Sequence, residues 1–126
     1  MGSIETSKEI PSELTVNKAK GKLTAEELLI WVSDYYSEIT TKLILWDFNE
    51  ADLSSITSEE FMEIAREVKN RSDLRVEGKT AFVFNSDLGF GLGRMFQAFS
   101  EIEGTQFEFM SFCDVVEAKK WLGLEV

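Results

Sequence analysis

The spacing of apolar and polar residues changes several times along the chain, and each spacing predicts one kind of element. Stretches of strand character at about residues 3–8 and 14–20 flank a turn at Pro11, which predicts a β-hairpin. Farther along, residues 42–48 and 80–84 contain consecutive apolar side chains. Such runs are typical of strands buried on both faces, as in a parallel sheet.

Helical spacing of apolar residues predicts four helices after the hairpin. The first extends to about Ile39, and the third extends from Leu92 to Gly104. Three helices are preceded by a capping box, in which two side chains three residues apart cover backbone N–H groups of the first turn. The boxes are Thr24 with Glu27, Thr57 with Glu60, and Asp114 with Glu117.

A last strand is predicted over residues 106–112, so the element order is β-β-α-β-α-β-α-β-α. Strands that alternate with helices imply right-handed crossovers between parallel strands. The predicted fold class is therefore α/β, with a mainly parallel or mixed five-stranded sheet and an N-terminal hairpin. A length of 126 residues is within the usual size of one domain, and we expect residues 1–126 to form one.

The composition excludes several classes of function. A formal charge of −10 opposes binding to nucleic acid and to anionic membranes, because both are bound through basic side chains. The chain has no histidine, so it cannot form a Ser-His-Asp or Cys-His nucleophile system. Its one cysteine, Cys113, cannot form an internal disulfide or complete a structural zinc site. We expect a cytoplasmic, non-enzymatic protein that needs no cofactor.

Two of the predicted buried strands carry polar residues to the same edge of the sheet. Ligands of open α/β sheets bind beyond the C-terminal ends of the parallel strands, so a site is expected at this edge. The candidate residues for binding a ligand or a partner are Asp47, Asn49, Ser54, Ser55, Asp87, Gly89, Gly91, Gly93 and Arg94.

The glycine-spaced segment from Asp87 to Arg94 has two interpretations. Glycines between a strand and a helix let backbone N–H groups approach an anion, and Arg94 adds further donors. The segment matches neither the Walker A pattern nor G-x-G-x-x-G, and Asp87 as a helix N-cap would compete with an anion for the same donors. The pattern therefore favours a wide turn followed by close packing of helix on sheet.

Carboxylates near this edge raise the question of a metal ion. Asp47, Asp52 and Asp87 are of the residue type that holds Mg²⁺. Aspartates at strand ends more often form turns and helix caps, so we expect no bound metal.

Serines in the same region are candidate phosphorylation sites. Ser54, Ser55 and Ser58 lie in a predicted loop and helix start, where added negative charge is tolerated. Cys113, which follows the last predicted strand, is expected to be a buried small hydrophobe rather than a reactive thiol.

Five short segments of the chain resemble one family by their order and spacing. They are residues 21–24 (GKLT), 45–48 (LWDF), 79–83 (KTAFV), 91–95 (GLGRM) and 117–122 (EAKKWL). Together they resemble the SpoIIAA-like family of small bacterial proteins, which is related to STAS domains and is compared with the Sec14 lipid-binding fold. The resemblance covers nearly the whole chain, from about residue 3 to residue 122.

This resemblance implies a SpoIIAA/STAS-like fold and a mode of action. STAS proteins such as anti-sigma-factor antagonists act by protein-protein contact, and phosphorylation of a serine in a D-S-S-G-type loop after a central strand switches that contact. The corresponding stretch of this chain is residues 52–59, DLSSITSE, which contains serines in a different arrangement.

Two hypotheses of function follow from the sequence. The first is a non-enzymatic binding or regulatory module that contacts a protein partner at the predicted edge and is switched by phosphorylation at Ser54, Ser55 or Ser58. The alternative is a small-ligand binding protein that holds an anion or a lipid-like molecule near Arg94. A homodimer is left open, and a carboxylate-metal enzyme ranks last.

Overall fold

The computed structural model describes residues 2–9, 13–35, 41–72, 78–102 and 107–124. It contains the strands and helices that the residue spacing predicts, in the predicted order. The strands are β1 (Ser3–Glu9), β2 (Leu14–Lys22), β3 (Leu43–Asp52), β4 (Gly78–Val83) and β5 (Phe107–Phe112). The helices are α1 (Ala25–Tyr35), α2 (Ser58–Ser72), α3 (Asp87–Ile102) and α4 (Val115–Trp121).

The five strands form one mixed sheet in the order β1-β2-β3-β4-β5. Strands β1 and β2 are antiparallel and form the predicted hairpin, whereas each later pair of neighbours is parallel. From β2 to β5, each strand is followed in the chain by its next neighbour in the same direction across the sheet. Right-handed crossovers between these parallel strands therefore place α1, α2 and α3 on one face. Helix α4 packs on the opposite face. The predicted α/β fold class is confirmed.

The main core lies between the sheet and the first three helices, and aromatic rings form much of it. The rings of Trp46, Phe48 and Phe84 stack in sequence at centroid distances of 5.5 and 5.3 Å. Phe82 extends the group towards Phe109 on β5, at a centroid distance of 6.0 Å. Each such pair contributes about 0.5–1.5 kcal/mol beyond the burial of its area. Side chains therefore join β3, β4 and β5 in addition to the backbone hydrogen bonds.

A smaller core on the other face holds α4 against the sheet. It consists of the buried side chains of Leu14, Leu45, Ala81, Val83, Ala118 and Leu122. Helix α4 is short, so its position depends on this contact more than on its own hydrogen bonds.

Two of the three predicted capping boxes are confirmed. The backbone N–H of Glu27 donates to the Thr24 hydroxyl at 3.2 Å, and the N–H of Glu60 donates to the Thr57 hydroxyl at 3.1 Å, with both reciprocal bonds present. The third predicted capping box, Asp114 with Glu117, is wrong in the N–H group that Asp114 caps. Asp114 caps α4 by accepting from the N–H of Val116 at 2.6 Å, one residue earlier than a capping box uses.

Several predicted boundaries differ from the structure. Strand β3 continues to Asp52, beyond the predicted end at residue 48, and α3 begins at Asp87 rather than at Leu92. The predicted end of α1 near Ile39 lies outside the described residues. Within those residues, no helix is both long enough and apolar enough to cross a membrane.

Candidate functional site

Asp47 lies inside β3, next to an irregularity in its pairing with β2. Lys18 pairs with Asp47 and Lys20 with Glu50, so β3 has one residue more than β2 between these two pairs. This extra residue forms a β-bulge, which leaves a backbone N–H without its ladder partner. The N–H of Asn49 donates to Oδ1 of Asp47 at 2.9 Å. The Asp47 carboxylate therefore satisfies the bulge, which explains an acidic residue in a half-buried strand.

The carbonyl of Asn49 makes a second connection at this edge. The side-chain amide of Asn85, directly after β4, donates to that carbonyl oxygen. The Asn85 side chain thus ties the chain after β4 to the C-terminal half of β3. The side chains of Asp47 and Asn85 both form hydrogen bonds to the backbone of Asn49.

The segment from Asp52 to Ser58, called the serine loop below, connects β3 to α2. Oδ1 of Asp52 accepts from the N–H of Ser54 at 2.9 Å. The hydrogen bond from the Ser54 hydroxyl, followed by the one from its N–H, lowers the pKa of Asp52 below the ordinary value of 3.8. Leu53 and Ile56 are buried, whereas Ser54 is exposed. Apolar anchors and short polar contacts therefore give the loop a defined shape.

A long-range pair of hydrogen bonds fixes the serine loop to the start of α1. The hydroxyl of Ser55 donates to the carbonyl oxygen of Leu23 at 3.0 Å. The N–H of Leu23 in turn donates to the carbonyl oxygen of Asp52, also at 3.0 Å. Ser55 is an exposed residue, and the hydrogen bond of its hydroxyl is part-buried.

The glycine segment is helical rather than a wide turn. Helix α3 begins at Asp87, and Ser86 is its N-cap, because the Ser86 hydroxyl accepts from the N–H of Gly89 at 3.1 Å and the Ser86 carbonyl accepts from Phe90. The prediction of Asp87 as the cap is wrong by one residue. Serine is as good an N-cap as aspartate, and Asp87 in the first turn is favoured by the helix dipole.

Two of the three glycines allow α3 to lie close to the sheet. A methyl group added at Gly89 would lie 2.7 Å from Cδ1 of Phe84, and one at Gly93 would lie 2.5 Å from Cε2 of the same ring. At Gly91, which is exposed, an added methyl group meets nothing within 4 Å. The packing interpretation is therefore confirmed for Gly89 and Gly93 and does not apply to Gly91.

Arg94 lies on the flank of α3 that faces β5. Its guanidinium is 5.4 Å from the centre of the Phe90 ring, a cation-π distance. Both residues line an open groove of about 380 Å³. The other lining residues are Gln97, Ala98, Glu101, Met110 and Ser111. Arg94 thus borders a groove at the β5 side of the sheet.

The predicted site residues therefore fall in three places along the sheet. Asp47 and Asn49 lie in β3 where its pairing with β4 ends, Ser54 and Ser55 lie beside the start of α1, and Arg94 lies near β5. Strands β3 and β4 lie between β2 and β5 in the sheet. The serine loop, beside the end of β2, is therefore separated across the sheet from the Arg94 groove, which lies beside the edge strand β5.

Metal binding and cysteine chemistry were also tested against the geometry. Within the described ranges, no group of three or more Asp, Glu or Cys side chains is arranged to hold a metal ion. Cys113 is exposed, so its prediction as a buried hydrophobe is wrong. It lies in the turn between β5 and the cap of α4, where the chain leaves the core.

A small cavity lies within the main core, beneath α1 and α2. Its volume is about 30 Å³, and rings of Trp46, Phe61 and Phe82 line it together with Thr80. The Thr80 hydroxyl is buried and has no hydrogen-bond partner among the described residues. A cavity that binds benzene measures about 150 Å³. This cavity is therefore too small for a lipid chain.

Sequence reasoning missed the packing role of Phe84, the capping role of Ser86 and the groove between α3 and β5. Phe84 is 2 % exposed, and its ring is the surface on which both packed glycines lie. Glycines four residues apart at the start of an apolar helix were the available signal, because that spacing places both on one face. The groove depends on the pairing order of the strands, which residue spacing does not reveal.

Comparisons with known proteins show the fold. No protein-family model matches the chain, and no curated protein matches it. A crystal structure of an uncharacterized protein of the DUF3478 family from Shewanella loihica PV-4, described as having a SpoIIAA-like fold, matches with a TM-score of 0.62 at 20% identity. The match covers 96% of this chain and 93% of that one.

A second solved structure is more distant. The anti-sigma factor antagonist SpoIIAA in its unphosphorylated form matches with a TM-score of 0.48 at 14% identity, over 96% of this chain and 98% of that one. At such identities the likeness concerns the fold. The element order, the mixed sheet and the first match agree with the resemblance seen in the sequence, and the chain has the SpoIIAA-like fold.

Proposed function

We propose that the protein is a non-catalytic regulatory module that binds a protein partner through the serine loop, and that phosphorylation of Ser55 switches this binding. One observation carries the proposal: Ser55 is an exposed residue, and its hydroxyl connects the loop to the chain before α1 through a part-buried hydrogen bond to the Leu23 carbonyl. A modification of that hydroxyl changes the loop directly.

The serine loop has the properties of a prepared contact surface. Its buried residues, Leu53 and Ile56, fix the backbone, so little conformational entropy is lost when a partner binds. Its exposed residues include Asp52, Ser54 and Ser58, which offer hydrogen-bonding groups. Side chains on a fixed loop of this kind supply specificity, because each polar group has a defined direction.

Phosphorylation would act differently at the three serines. At Ser55, the phosphate removes the O–H donor and leaves the Leu23 carbonyl without its partner. At Ser58, the first residue of α2, a phosphate adds charge at a helix N-terminus without breaking a long-range contact. Ser54 is bonded to the Asp52 carboxylate, so a phosphate there meets like charge. Ser55 is therefore the position at which phosphorylation changes the loop's shape.

A small-ligand function has less support. The N–H of Gly89 is already bonded to Ser86, and the Asp87 carboxylate lies in the first turn of α3, where it repels an anion. A thermal-shift panel of anions and apolar molecules, with Arg94→Ala as the control, tests this alternative. Stabilisation that Arg94→Ala abolishes would support it.

The experiment for the leading proposal uses protein purified from its native host. Phosphosites are mapped by mass spectrometry, and a photo-crosslinking residue at position 54 captures the partner. We expect a phosphosite within the serine loop and a crosslinked protein that is lost with Ser55→Glu. A matched crosslinker at Ser7 on β1 should capture nothing. Absence of both the phosphosite and the crosslinked partner would overturn the proposal.

A further inference from the structure

The two edges of the sheet differ in how they are protected against pairing with another strand. On β1, Glu5, Lys8 and Glu9 place charges along the edge, which discourages pairing. On β5 the sequence is FEFMSF, and Glu108 is its one charged residue. The Glu108 carboxylate lies 4.0 Å from Nζ of Lys79 on β4, which offsets that charge.

Strand β5 also lacks a neighbour on its outer side. It pairs with β4, and within the described part of the chain no strand lies beyond it. Its outward N–H and C=O groups therefore form a free row of donors and acceptors. An apolar edge in this state is a template for another strand.

The flank of α3 beside this edge carries charges of both signs. Arg94 and Glu101 are exposed and line the groove between α3 and β5. They are seven residues apart, which is about two helical turns, so they lie on the same side of the helix. Neither is bonded to an opposite charge within the described residues.

We propose that a second copy of this chain occupies this surface, with the β5 strands of the two protomers pairing antiparallel across a two-fold axis. This interface is separate from the serine loop and does not rest on the proposed function. An isologous interface requires a surface that is complementary to itself. Arg94 and Glu101 meet that requirement, because they carry opposite charges on the same side of α3.

The midpoint between Arg94 and Glu101 on α3 lies at the same level as the middle of β5. The midpoint between Arg94 and Glu101 falls between Gln97 and Ala98, and the ring of Phe96 packs 4.9 Å from that of Phe109 in the middle of β5. A two-fold axis normal to the sheet at this level keeps both copies of α3 on one face. It places Arg94 beside Glu101 of the partner subunit, and Glu101 beside the partner's Arg94.

The edge strand is compatible with the same axis. In an antiparallel pair centred on Phe109, Glu108 lies opposite Met110 of the partner subunit rather than opposite its own copy. The net charge of −10 on each protomer opposes association. At physiological ionic strength the Debye length is about 8 Å, so distant charges contribute little and the local pairs dominate.

The test measures the dimer dissociation constant by sedimentation equilibrium at about 0.15 M salt. The variants are Arg94→Glu, Glu101→Arg and the double charge swap. Each single reversal converts two symmetric attractions into repulsions and should raise Kd by about tenfold or more. The double swap should return Kd to within about threefold of the wild-type value, because it restores both pairs.

The matched controls reverse one positive and one negative charge on β1, at the opposite edge of the sheet. Lys8→Glu and Glu5→Arg change the net charge equally and should leave Kd unchanged. Circular dichroism confirms that each variant is folded. A wild-type protein that stays monomeric at all concentrations would overturn the proposal. A dimer that is insensitive to Arg94→Glu, or that the double swap does not restore, would overturn it as well.

Discussion

The hydroxyl of Ser55 donates a 3.0 Å hydrogen bond to the carbonyl oxygen of Leu23, 32 residues earlier in the chain. This bond joins the loop after β3 to Leu23, which lies between the end of β2 and the start of α1. Its partner bond runs from the Leu23 N–H to Asp52, so the two form a closed pair. The serine loop and the segment before α1 are thus joined by two hydrogen bonds, one of which uses a side chain.

Replacing Ser55 by alanine should therefore destabilise the loop without unfolding the protein. The change removes one hydrogen bond at a solvent-accessible position, so the free energy of unfolding should fall by about 1 kcal/mol. Amide exchange should increase at residues 52–57. Ser58→Ala is the matched control, and urea denaturation and hydrogen exchange are the measurements. Equal effects of both substitutions would contradict the assigned role of Ser55.

The glycines of α3 should respond differently to alanine. Gly93→Ala and Gly89→Ala push a methyl group into the Phe84 ring, so each should lower the free energy of unfolding by about 1–3 kcal/mol. Gly91→Ala meets no neighbour and gains helix propensity, so it should raise that free energy by up to about 1 kcal/mol. Denaturant titration distinguishes the signs. Destabilisation by Gly91→Ala would show that this position also packs.

Two buried threonines provide a second contrast. The Thr80 hydroxyl has no partner in the described residues, whereas Oγ1 of Thr15 lies 2.7 Å from Oγ1 of Thr41. Thr80→Val should leave stability unchanged or raise it by about 1 kcal/mol, because it removes an unpaired polar group. Thr15→Val should lower stability by about 1–2 kcal/mol, since it leaves Thr41 with one bond fewer. A destabilising Thr80→Val would instead indicate a water molecule bound in the cavity.

Asp52 should titrate below its ordinary pKa. Its hydrogen bonds from Ser54 lower the pKa in the folded state, so the carboxylate stabilises the loop fully above the unfolded value of 3.8. This stabilisation is lost as the pH falls through the folded-state pKa. An NMR titration of the Asp52 carboxyl measures the value directly. Ser54→Ala should move the pKa up towards 3.8, and a wild-type pKa at or above 3.8 would exclude these hydrogen bonds in solution.

Residue spacing predicted the strands, the helices and their order, because apolar periodicity and caps such as Thr57 with Glu60 act locally. It failed where one residue decides between similar alternatives, as between Ser86 and Asp87 for the cap of α3. Asp47 is at the predicted edge, but its role depends on a bulge that only the pairing of β2 with β3 creates. The contact between Ser55 and Leu23 is similarly non-local, so no pattern along the chain reveals it.

The effect of a phosphate on the serine loop can be measured with protein that carries phosphoserine at position 55 alone. The affinity of this protein for the crosslinked partner is compared with that of the unmodified protein by calorimetry, with phosphoserine at Ser7 as the control. We expect phosphoserine at position 55 to change the affinity by about tenfold or more, within the usual range of regulatory coupling, and phosphoserine at position 7 to leave it unchanged. Equal affinities for the protein phosphorylated at Ser55 and the unmodified protein would contradict it.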